Sequence, residues 1–189
     1  MTEITGPNRP EPQPVSLDPA KTAVVVLDLN ARCHDPEEVC SKLMEPLGGF
    51  LARVRAASVP VVFTVSLQFK GTPMGEVAAP LGRRDAEPVL HPDAFDKFAG
   101  GELQAILSEA GAENLIVTGS LTNVAVLYTA TAAARVHRYD VIIPLDGVNA
   151  KSTYEHEYAI HQLTVIPAGA ADRMRFTRLE LIEFQEAAG

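Results

Sequence analysis

Glu113–Arg135 reads ENLIVTGSLTNVAVLYTATAAAR. Leu115–Thr118 is a short, mostly β-branched apolar run closed by Gly119, which predicts a strand. Gly119 opens a turn. The Thr122-Asn123 pair offers capping side chains, and the alanine-rich run to Arg135 predicts a helix. A strand feeding a helix through a tight turn is half of a β-α-β unit, so the fold depends on whether the rest of the chain repeats it.

It does. Thr22–Leu27 (TAVVVL), Pro60–Val65 (PVVFTV), Glu87–Leu90, Asp140–Pro144 (DVIIP) and Met174–Phe176 are further short strand candidates. Between them, helices are predicted over Glu37–Ala57, with a break at Pro46 and Gly48-Gly49, over Glu102–Ala110 and over Thr153–Leu163. About six strands alternating with helices predict an α/β fold, a doubly wound three-layer α/β/α sandwich around a mostly parallel sheet. Ser66–Pro92 is irregular and suits a lid, an active-site wall or an oligomer contact. Residues 1–20 contain five prolines and little apolar periodicity. They predict an extended arm, mobile or laid across a neighbouring subunit, ahead of a single domain over 21–189.

The chain has 189 residues, 47% of them apolar, and a formal charge of -8. That balance argues against nucleic acid and against anionic membranes as partners. No apolar run approaches a membrane span. Cys33 and Cys40 are the only cysteines. Without a leader segment, free thiols in the cytoplasm are the simpler expectation, although a disulfide closing that short loop is conceivable. Common zinc spacings are absent, and neither a metal nor a cofactor is expected.

Ligands of an open parallel sheet bind beyond the carboxyl ends of its strands, where strand order reverses. Asp28, Asn30, Ser66, Gln68, the Gly119–Asn123 turn and Asp146 lie at such ends. Asp28, at the tip of a buried strand, is placed for acid or base work or for bonding to backbone N–H groups. The turn before Thr122 offers N–H groups to an anion.

Taken with their order and spacing, four blocks resemble the isochorismatase-like hydrolase superfamily, the cysteine-hydrolase group of nicotinamidases, carbamoylsarcosine amidohydrolases and isochorismatases. They are VVVLDLN around Asp28, KFAGGELQAIL (Lys97–Leu107), LIVTGSLTNVAVLYTATAAA and YDVIIPLDGV (Tyr139–Val148). The resemblance runs from Thr22 to about Glu183. It implies an Asp at the end of the first strand, a Lys, and a Cys at the start of a helix as nucleophile. The Asp is Asp28, and the Cys position is Ala125. An alanine excludes thiol chemistry there. The position where many members carry the Lys is Pro92. Lys97 is either its replacement, reaching the pocket from a shifted backbone, or a surface lysine, and His91 is a weaker stand-in. The resemblance also implies a cis peptide between Ser120 and Leu121, no metal site in Ser66–Gly75, and a dimer or larger homo-oligomer.

Three functions follow. The first is a hydrolase of isochorismatase type, with Asp28 and Lys97 as catalytic groups. Its small carboxylate-bearing substrate would lie among Asn30, Ser66, Gln68, Phe98, Ser120, Leu121, Thr122 and Ala125. The second is an inactive family member that binds a small molecule or serves assembly. The third is a hydrolase whose nucleophile has moved to Cys33.

Overall fold

The computed structural model describes residues 6–185. Residues 1–5 of the expected arm, and 186–189, lie outside them. Nine strands and four α-helices follow in chain order: β1 Val15–Leu17, β2 Thr22–Leu27, α1 Met44–Ala56, β3 Val61–Thr64, β4 Val89–Leu90, α2 Glu102–Glu109, β5 Asn114–Ser120, α3 Leu127–Arg135, β6 Asp140–Pro144, β7 Val148–Asn149, α4 Thr153–Thr164, β8 Met174–Thr177 and β9 Ile182–Phe184. The main sheet has seven strands, all paired in parallel, in the order β4-β3-β2-β5-β6-β8, with β7 on the end of β5. The α/β doubly wound sheet expected from the alternation is present.

Its strands are apolar throughout because both faces are covered. Along β2, Ala23, Val25 and Leu27 face a core built with α2, α3 and α4, through Leu103, Leu107, Ala130, Ala133 and Leu163. Val24 and Val26 face the opposite core, against Leu47, Phe50, Leu51 and Val54 of α1. The period of two therefore sorts one strand into two layers. Each fully buried Val or Leu contributes about 1.5–3 kcal/mol.

Several expectations are corrected. The helix predicted from Glu37 begins only at Met44, after two 3₁₀ turns at Ala31–His34 and Val39–Leu43. It then runs unbroken through Pro46, which sits in the first turn where a missing N–H costs nothing. Gly48 is required in that helix by packing, since a Cβ there would lie 2.9 Å from the Pro80 carbonyl oxygen. The proline-rich stretch is laid on its own chain. β1 pairs in parallel with β9, Asn8 donates its backbone N–H to His161 Nδ1 (3.0 Å), and Arg9 meets Glu157 (3.0 Å). Cys33 and Cys40 are disulfide-bonded, with Cα atoms 5.2 Å apart, because the two 3₁₀ turns fold back on each other. This overturns the expectation of free thiols. Among the described residues no helix is long and apolar enough to cross a membrane.

Candidate active site

The sheet order reverses between β2 and β5, and the strand ends there open into a cavity of about 360 Å³. Asp28, Asn30 and Arg32 come from the end of β2, and Ser66, Gln68 and Phe69 from the end of β3. Asp93, Ala94, Phe95 and Lys97 come from the segment after β4, and Ser120, Leu121, Val124 and Ala125 from the end of β5. Segments far apart in sequence converge because parallel strands deliver all their carboxyl ends to one edge.

Asp28 leaves β2 in a left-handed conformation (φ 54°), which a short polar side chain tolerates better than most. Its N–H bonds to the Thr64 carbonyl (3.0 Å), and the Thr64 hydroxyl donates to Asp28 Oδ1 (3.3 Å). The other carboxylate oxygen lies 2.8 Å from Lys97 Nζ. Lys97 is only 2% exposed, so its charge is held in the protein by that carboxylate. The Lys97 backbone is pinned by α3: its N–H donates to the Thr129 hydroxyl (3.2 Å), which in turn donates to the Phe95 carbonyl (3.3 Å). Of the two sequence readings of Lys97, the geometry gives the one that reaches the pocket. His91 instead donates from Nδ1 to the Val65 carbonyl (3.1 Å).

The Ser120–Leu121 peptide after β5 is cis, as the resemblance implied, but the turn that follows it differs from its expected form. The next five residues, Thr122–Val126, form a π-helical turn, with N–H groups bonding five residues back (Val126 to Leu121, 3.2 Å) before α3 begins. Such single wide turns occur often at functional sites. The Thr122-Asn123 pair makes no capping bond. Thr122 is fully buried and its hydroxyl meets His156 Nδ1 at 3.0 Å, so it faces α4 and not the cavity. Burial pushes the His156 pKa down.

Gly119 is fixed by close approach. A Cβ on it would overlap the Leu27 carbonyl of the paired strand, and its φ of 121° disfavours any side chain. Ser120 is 2% exposed, and its hydroxyl oxygen has no hydrogen-bond partner among the described residues.

The model of the isochorismatase domain family matches residues 22–172. The chain belongs to that family. Solved structures agree on the isochorismatase-like fold. An isochorismatase family protein from Burkholderia thailandensis is 22% identical, covering 90% of this chain and 97% of its own, with a TM-score of 0.75. A cysteine hydrolase from Pseudomonas syringae pv. phaseolicola is 20% identical over 94% of this chain and 95% of its own, with a TM-score of 0.74. N-carbamoylsarcosine amidase from Thermoplasma acidophilum is 21% identical over 89% of this chain and 99% of its own, with a TM-score of 0.71. At these identities the likeness is one of fold. A comparison with curated proteins found no match.

Among the site residues named from the sequence, Asp28, Asn30, Ser66, Gln68, Lys97, Ser120, Leu121 and Ala125 line the cavity. Phe98 and Thr122 do not. Phe98 turns into the core, its ring 4.2 Å from that of His137. Asp146 is drawn off as well, accepting the Leu179 N–H at 2.8 Å. Cys33 is 1% exposed and tied to Cys40, which removes it as a nucleophile. Arg32, Phe69, Asp93, Phe95 and Val124 line the cavity without having been singled out from the sequence.

Proposed function

We propose that this chain is a hydrolase of isochorismatase type that works without a thiol, using Asp28 as general acid and base on a small carboxylate-bearing substrate. The observation that supports it is the 2.8 Å Asp28–Lys97 pair, exposed to a cavity whose wall at Ala125 carries no nucleophile. Asp28 then acts on water. As base it takes a proton from the water as the oxygen adds to the substrate, and as acid it returns that proton to the leaving group. One water is consumed and one bond is cleaved. Lys97 is a positioning residue in this scheme, holding one carboxylate oxygen so that the other faces the reacting atoms.

Ala125 also favours a second reading, a family member that binds its ligand and performs no chemistry. The two part on one experiment. Hydrolysis is measured over a panel of amides, esters and vinyl ethers of small carboxylic acids, for the natural chain and for Asp28→Asn. The hydrolase reading expects turnover of at least one compound and a loss of about 10²–10⁴-fold in the folded variant, with the compound still bound. Turnover unaffected by the substitution would remove Asp28 from the chemistry, and binding without turnover throughout the panel would establish the second reading.

A further inference from the structure

Two cations line the cavity, Lys97 and Arg32. Lys97 is committed: its ammonium sits 2.8 Å from Asp28 in a buried position. Arg32 is held more loosely. Its Nε is buried with no hydrogen-bond partner among the described residues, and its ion pair with the Glu38 carboxylate is long, at 4.0 Å, outside hydrogen-bond reach, with both side chains part-exposed. The Arg32 backbone, in contrast, is held, because its N–H donates to the Asn30 side chain (3.3 Å) and Cys33 beside it is tied to Cys40. A fixed backbone that places a guanidinium on the cavity wall, with its Nε unpartnered and its carboxylate neighbour no nearer than 4.0 Å, is the arrangement of an anion anchor.

Accepting the carboxylate-bearing substrate of the hydrolase reading, we infer that Arg32 anchors the carboxylate of a singly charged ligand with an apolar body. The carboxylate is the planar partner that a guanidinium fork binds through two parallel hydrogen bonds. The apolar body follows from Phe69, Phe95, Leu121 and Val124 on the walls. The single charge follows from the remaining charges. Asp28 already neutralises Lys97, and the exposed Asp93 at the rim repels a second anionic group. Ser120, with its unpartnered hydroxyl, supplies the polar contact for the part of the ligand near Ala125.

Four probes with no hydrolysable bond test this at equilibrium on the full chain: benzoate, benzyl alcohol, phthalate and phenylphosphonate, by titration calorimetry. Benzoate is expected to bind at least about tenfold more tightly than each of the others, the size of one charge-assisted bidentate contact. Arg32→Gln should erase the advantage of benzoate over benzyl alcohol and leave benzyl alcohol binding unchanged, which also reports that the variant is folded. Arg32→Lys should restore only part of it, since it keeps the charge and loses the fork. Benzoate binding no better than benzyl alcohol, or an advantage that survives in Arg32→Gln, would overturn the anchor. Phthalate as tight as benzoate would overturn the single charge. Because no probe is turned over, the result is separate from that for Asp28. A benzoate preference without hydrolysis elsewhere sinks only the catalytic reading, and hydrolysis without the preference sinks only the anchor.

Discussion

Asp28 and Lys97 are unequal partners. Lys97 is buried at 2% exposure, whereas the Asp28 side chain is 20% exposed at the cavity wall. Removing the carboxylate therefore strands an ammonium in the protein, while removing the ammonium leaves a carboxylate that water reaches. Asp28→Asn is expected to cost about 3 kcal/mol of unfolding free energy, Lys97→Met about 1 kcal/mol, and the double variant less than their sum. Asparagine suits the test because it tolerates the left-handed backbone of residue 28, so strain does not enter. Urea unfolding checks it, and equal losses from the two single variants would show that burial does not make the pair asymmetric. At this scale the place of Asp28 was legible in the sequence, since a carboxylate ending an apolar strand of a parallel sheet must emerge at the carboxyl edge where the cavity lies. Lys97 was legible only as a choice between a pocket residue and a surface one, because its place depends on Thr129, a hydroxyl 32 residues further on that grips the Lys97 backbone. Arg32 escaped notice for a similar reason: it projects from a 3₁₀ turn, a structure with no period to betray which face a side chain takes.

Six of the seven strands of the main sheet were readable because two buried faces demand apolar, largely β-branched runs, and their observed ends differ from the expected ones by a residue or two; β7, two residues long, was not. The elements that escaped are those with weak local signals. β1 and β9 are three residues each, and Ser66–Pro92 resolves into 3₁₀ turns at Leu67–Phe69, Pro73–Gly75 and Ala79–Leu81. What holds that segment to α1 is a buried fork. Arg55 donates to both oxygens of Glu87, at 2.7 and 2.8 Å, and the Arg84 N–H adds a third bond at 2.8 Å. Burial alone would push the Glu87 carboxyl up, but the Arg55 fork and the Arg84 N–H outweigh it and hold its pKa below the ordinary value of 4.5. A carboxylate depressed on folding adds stability above its unfolded value and loses it as pH falls through the folded one. Glu87→Gln should therefore lose about 2–3 kcal/mol at pH 7, and its deficit should shrink steadily below pH 4.5. Melting curves at descending pH follow the deficit, and a constant gap would mean that the Glu87 charge contributes nothing.

Over the whole molecule, the parallel order around β2 and β5 separates two kinds of wall. The floor of the cavity belongs to the sheet. There Gly119 presses on Leu27, and the strands flanking it are fully buried on both faces. The rim belongs to turns and loops, from which Arg32, Phe69, Asp93 and Phe95 project. Neither Asp93 nor Phe95 carries core packing, as both are exposed. The division has a consequence for how such a protein changes over generations. Innovation is cheap at the rim and forbidden at the floor. A library randomised at positions 32, 69, 93 and 95 should be rich in soluble, cooperatively melting variants whose choice among small anions has drifted. A library at position 119 should be almost empty of folded members, each side chain there costing about 4 kcal/mol or more. Deep sequencing of the soluble fraction reads both outcomes, and folded side-chain variants at 119 would erase the distinction. The close, glycine-floored pairing of β2 and β5 is thus a fixed frame around which the ligand preference of this lineage is free to wander.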